Sequence, residues 1–189
     1  MPTNPSAVTE KATIDCAMIV LTTEETTPKT YGFTSGTKIG VEANIETTEA
    51  IKLMIKGVLK AQKPEKRTLT GHTITLTDPM TIMEMLPLLD GGELIRDQST
   101  SEITGYRPPN TGEAINKTKF TMDCYSAIMD GSSVTGYEKV TYTGCEGQPF
   151  SPQSEDDVFR VNEYTIISAP TAGTPPFTLD IVDALPVIS

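Results

Sequence analysis

A chain of 189 residues with a net charge of −10 and a pI near 4.6 is long enough for one domain with a real core. It lacks the basic stripe of a nucleic-acid reader. Cys16, Cys124, Cys145 and the single His72 are scattered, without the paired spacing of a disulfide framework or a zinc motif, so buried free thiols are expected, with no metal and no cofactor.

Thirty threonines favour β-structure, because a β-branched hydroxyl residue suits a pleated surface with one wet side. No apolar run approaches the ~18 residues of a membrane helix. The start, Met1-Pro2-Thr3-Asn4-Pro5, lacks the regions of a signal peptide, which points to a cytoplasmic origin.

Residues 1–12 are polar and carry Pro2 and Pro5, so they read as a flexible N-terminal arm before one domain over 13–189. Ile14–Leu21 reads as a strand, and Thr22–Thr30, around Pro28, as a loop. In Lys38–Glu46 the apolar Ile39, Val41, Ala43 and Ile45 alternate with Lys38, Glu42, Asn44 and Glu46. Period two predicts a strand with one apolar and one wet face. Thr47-Thr48-Glu49 reads as a turn, and Ala50–Leu59 as the antiparallel return, with Ile51, Leu53 and Ile55 on one face and Lys52, Met54, Lys56 and Val58 on the other. Ile51, Met54, Ile55, Val58 and Leu59 also sit at helical spacing. Gly57 weighs against that competing reading.

Thr68–Thr70 and Thr73–Thr77 bracket Gly71-His72, which predicts a strand bulged at the glycine. Asp78-Pro79 offers a cap and a first-turn proline for a helix that turns Ile82, Met85, Leu86 and Leu89 to the core. Pro87 should end or kink that helix near Leu86, because its ring meets the carbonyl of Met83. Residues 93–119, around Pro108-Pro109-Asn110, read as a long surface loop. Further strands are expected at Phe120–Ile128, Tyr137–Gly144, Phe159–Ala169 and Phe177–Val182, with Asp130–Ser133 as a turn.

Catalytic patterns are missing: the chain contains no P-loop, GxGxxG, GxSxG or HExxH. Ser154-Glu155-Asp156-Asp157 lacks the glycine and closing glutamate of an EF-hand loop. Glu42, Glu46 and Glu49 crowd the expected hairpin tip, with nothing apolar to separate their pKa values. Lys60, Lys63, Lys66 and Arg67 are interrupted by Glu65 and read as a solvated loop. The chain therefore reads as non-enzymatic. Its long half-wet strands need cover for their edges, and a closed ring of copies supplies it by lateral strand pairing.

The run from Gly57 through Leu69-Thr70-Gly71-His72-Thr73-Ile74-Thr75-Leu76-Thr77-Asp78 to Leu89-Asp90-Gly91-Gly92 resembles the tail tube (major tail) proteins of long-tailed bacteriophages and prophages. Pro149-Phe150-Ser151, Asp157-Val158-Phe159-Arg160 and Tyr164–Pro170 are similar to phage structural proteins of Gram-positive hosts. The resemblance implies a mainly β fold, a β-sandwich or split barrel with a long β-hairpin and one short flanking helix. It implies six copies in a ring and stacked rings forming a tube in the virion, with other tail proteins as partners and genomic DNA passing through unbound. It would point Lys38, Glu42, Asn44 and Glu46 to the lumen. Ile39, Val41, Ala43 and Ile45 would face the core, and Ile51, Leu53 and Ile55 would complete the core-facing or inter-subunit side of the hairpin. Residues 1–12 and 93–119 would join rings. The alternative is a β-sandwich virion decoration or carbohydrate-binding/adhesion module, which the absence of Trp and an aromatic content of 6% disfavour.

Overall fold

Strand propensity dominates the molecule, whose computed structural model describes residues 10–152 and 154–187. Most of the N-terminal arm expected at 1–12 lies outside them. The strands are β1 (Ala12–Thr23), β2 (Thr30–Phe33), β3 (Lys38–Thr48), β4 (Ile51–Ile55), β5 (Val58–Lys63) and β6 (Lys66–Asp78). After a 3₁₀ turn (Met83–Met85) and helix α1 (Leu86–Asp90) come β7 (Glu93–Arg96), β8 (Ile103–Arg107), β9 (Phe120–Asp130), β10 (Ser133–Gly147), β11 (Asn162–Ser168) and β12 (Thr178–Val182). Every pairing is antiparallel. The fold is mainly β with one short helix, in the expected class.

Eight strands share one sheet, ordered β2-β1-β9-β10-β11-β6-β3, with β12 added to β10. Strand β10 is the hinge of the architecture: its middle, Tyr137–Thr141, pairs with β12 and its last three residues with β11. The sheet thus folds over on itself in a sandwich-like arrangement. A Cβ on Gly36 would lie 3.0 Å from Ile19 of β1 and 3.2 Å from Leu76 of β6, so the two branches meet face to face. Between them lie Ile19, Leu21, Ile74, Leu76, Phe120, Met122, Tyr164 and Ile166, each essentially fully buried. Side chains of this size each contribute about 1.5–3 kcal/mol when withdrawn from water.

Met85, Leu86 and Leu89 are buried in this core and Ile82 packs on it, as the apolar stripe predicts. The element itself differs. Pro87 occupies the first turn of α1 rather than ending a helix, because the missing N–H is free of an intrahelical partner there. Asp78 does not cap it either. Fully buried, Asp78 accepts hydrogen bonds from the Met80 amide (2.6 Å) and the Ser35 hydroxyl (2.7 Å), fixing a bend after β6.

The stretch 93–119 is not wholly irregular, since β7 and β8 form a hairpin within it. Asp97 holds its turn by accepting from the Ser99 hydroxyl and amide and the Thr100 amide. These donors pull the Asp97 carboxyl down to about 2. A lowered pKa stabilises the fold above the ordinary aspartate range, and that stability fades as pH falls towards about 2. Amide exchange at Ile95 and Gly105 should accelerate over that acid window, and Asp97→Asn should remove the pH dependence.

Candidate assembly surface

Residues 38–78 form one hairpin. Thr48 pairs with Lys66 and Ile51 with Lys63, so both chains advance three residues across the gap and remain opposite each other. The reversal comes at Lys56-Gly57, both left-handed, with φ of 50° and 78°. Two such residues in sequence make the mirror-image turn that matches strand twist. The turn expected at Thr47-Thr48-Glu49 is therefore extended strand and gap, and the single strand expected over Ala50–Leu59 is two. Glu42, Glu46 and Glu49 lie along the ribbon, not at its tip.

The wet face is where alternation puts it. Lys38, Gly40 and Glu42 stand opposite Thr77, Thr75 and Thr73, and those threonines stand opposite Glu163, Thr165 and Ile167 of β11. Asn44 accepts a hydrogen bond from the Thr73 hydroxyl at 3.0 Å. Glu46 follows opposite Thr68. The four candidate lumen residues thus share a face carpeted with threonine hydroxyls, and Lys38, Glu42 and Glu46 are exposed on it.

The apolar face is only partly a core face within the chain. Ile39 packs on the core, but Val41, Ala43 and Ile45 are exposed: Val41 and Ala43 lie on the edge strand opposite Ile74 and His72, and Ile45 lies where β6 continues past the end of β11. Strand β11 pairs with β6 only from His72 to Asp78. Beyond Gly71, among the described residues, β3 and β6 pair with each other alone. Ile51, Leu53 and Ile55, assigned to the core-facing or inter-subunit side of the hairpin, are 64%, 54% and 48% exposed. The register places Val58 opposite Ile55, on the same side of the ribbon, not on the lysine side. Residues 44–71 are therefore an arm projecting about 40 Å at 3.3 Å per residue.

Gly71 is the shoulder of that arm. The register shifts between Asn44 and Ile45 opposite it, the bulge that the threonine-flanked glycine predicts. A Cβ at this position would overlap the Ser168 carbonyl. His72, next to it, is buried with its ring edge-on to Tyr142 and Phe177. That is a packing role.

Burial raises the thiols of Cys16, Cys124 and Cys145, the last to about 12, which keeps them protonated and inert at neutral pH. All three are free. Among the described residues no three His, Cys, Asp or Glu side chains are grouped to hold a metal, and no helix is long and apolar enough to cross a membrane. Compared with known proteins, the chain matches no family model and no curated protein.

The alternating pattern revealed the wet face but not the arm. The exposed Phe159 (95%) was also missed. Phe159–Val161 read as the start of a strand, yet β11 begins at Asn162 and the aromatic stands in solvent.

Proposed function

We propose that this chain is the structural subunit of a bacteriophage-type tail tube. Six copies close a ring, rings stack, and DNA passes through the hole without being held. The observation that carries this reading is the arm. A lone two-stranded ribbon is marginal in water, and this one exposes Ile51, Leu53, Met54, Ile55, Val58 and Leu59. Such a ribbon needs a neighbour. Strand β3, eleven residues long, is also the last in the sheet order and, among the described residues, leaves one backbone edge open, so a neighbouring copy that pairs along it removes the liability.

The threonine face fits a conduit wall. Hydroxyls and carboxylates at Glu42, Glu46 and Glu163 offer a polyanion wetting without attraction. Lys38 is the one cation among the four candidate lumen residues.

Negative-stain microscopy with sedimentation across a concentration series tests the assignment. Sixfold rings or tubes are expected, and a monomer at every concentration overturns it. A second measurement addresses the wall. Replacing Glu42 and Glu46 together with lysine should leave assembly within about twofold of wild type, because solvated charges contribute little to stability. Double-stranded DNA should then co-sediment with the tubes at low salt. Loss of assembly would instead move these two residues to an interface.

A further inference from the structure

The arm and the body carry opposite charge. Residues 44–71 hold six basic side chains against three acidic ones, and the rest of the chain holds nine against twenty-two, a net +3 beside −13. Between Ile51 and Lys63 the arm carries Lys52, Lys56, Lys60 and Lys63 and no acid. Among the described residues none of these four lysines has an ion-pair partner.

One segment of the body mirrors this composition. Glu155, Asp156 and Asp157, also without ion-pair partners among the described residues, run directly into Val158, Phe159 and Val161, which are 60%, 95% and 55% exposed. Arg160, the segment's only cation, turns inward over the Phe150 ring at 5.3 Å. Together Ser154, Glu155, Val158, Phe159, Arg160 and Val161 line a cleft of about 440 Å³. Lysines interleaved with aliphatics on one element thus face acids followed by exposed apolar side chains on the other.

The fold forbids these two elements from meeting within one chain. The arm leaves the sheet where His72 pairs with Ser168, and the acidic segment enters it where Asp78 pairs with Asn162. Those are opposite ends of β11, about 20 Å apart, and the arm points away. We propose that the lysine-rich arm of one copy docks on the 154–161 segment of another, in a head-to-tail contact that repeats from copy to copy. The proposal rests on the subunit reading above and names the partner surface for its arm. Because the two patches differ, the contact is heterologous, and it continues until a ring closes or a stack ends. The aliphatic ribs cover Phe159, and the lysines meet the three acids.

Charge exchange tests it. Lys52, Lys56 and Lys60 changed together to Glu should weaken association about tenfold or more, as should Glu155, Asp156 and Asp157 changed together to Lys, with thermal melting unchanged in both. Both sets placed in one chain should restore association to within about threefold of wild type. A photo-reactive benzoylphenylalanine in place of Leu59 should cross-link to the peptide containing Phe159 of another copy. Failure of the combined variant to recover, or cross-links elsewhere, overturns this docking while wild-type rings leave the subunit reading intact. If the wild type stays monomeric, both fall. Arm-dependent binding of wild-type monomer to phosphatidylglycerol vesicles or to DNA, lost in the lysine-to-glutamate variant, would then assign the arm to that partner.

Discussion

Replacing residues 49–65 with a two-residue Asn-Gly turn should leave the body folded and abolish assembly. The body is insulated from the cut. No residue between 49 and 65 belongs to either buried cluster, and Thr48 and Lys66 are already paired, so a tight mirror-image turn closes the stump in register. Circular dichroism and melting temperature should match wild type within a degree or two. The excised piece carries six exposed aliphatic or thioether side chains. Withdrawing apolar area from water contributes about 25 cal/mol per Å², so removing the ribbon should shift self-association by at least about a hundredfold. Sedimentation equilibrium reads that shift directly. Full assembly by the shortened chain would show that rings are held by the body alone.

Gly71→Val should be the most damaging single replacement of a non-core residue. A side chain there must displace the Ser168 carbonyl, which belongs to the strand holding Tyr164 and Ile166 in the core. The backbone at Gly71 has φ of 156°, a conformation that a β-branched residue seldom adopts. Overpacking alone costs about 1–3 kcal/mol, and the conformational strain adds about 1–3 more. A domain of ordinary stability, about 5–15 kcal/mol, would lose a large part of it. Chemical denaturation of the variant against wild type measures the loss. Gly57→Ala, at the exposed tip where a Cβ meets nothing within 4 Å, should cost far less. A similar loss at both positions would contradict the close-approach account.

Several elements are legible in the residues because their pattern is local. The alternation in 38–46 finds strand β3, and the glycine between threonine runs marks the bulge. The apolar spacing of Ile82, Met85, Leu86 and Leu89 finds the core side of the segment after β6. What fails is whatever depends on a register or a neighbour. The apolar run 51–59 conceals a chain reversal, since Ile55 and Val58 are both aliphatic across the Lys56-Gly57 turn. Gly57 is the signal, and it marks the turn rather than merely disfavouring a helix. The β7–β8 hairpin hides behind a polar turn whose order comes from the hydrogen bonds of Asp97. Alternation also cannot say whether an apolar face is covered. Ile45 has the right phase for a core, but β11 stops short of it, while Val41 lies level with Ile166 of β11 and is still 42% exposed because β3 is the edge of the sheet.

The placement of arm and acidic segment at opposite ends of β11 has a consequence for growth. A column made by plugging prong into socket has two unlike extremities, one showing bare lysine-rich prongs and the other bare acidic sockets. If the proposed contact runs between rings and does not close within one, elongation has a direction, and the two extremities offer different surfaces to a capping protein. A basic apolar finger on an initiating protein would seal sockets, and an acidic apolar cup on a terminating one would quench prongs.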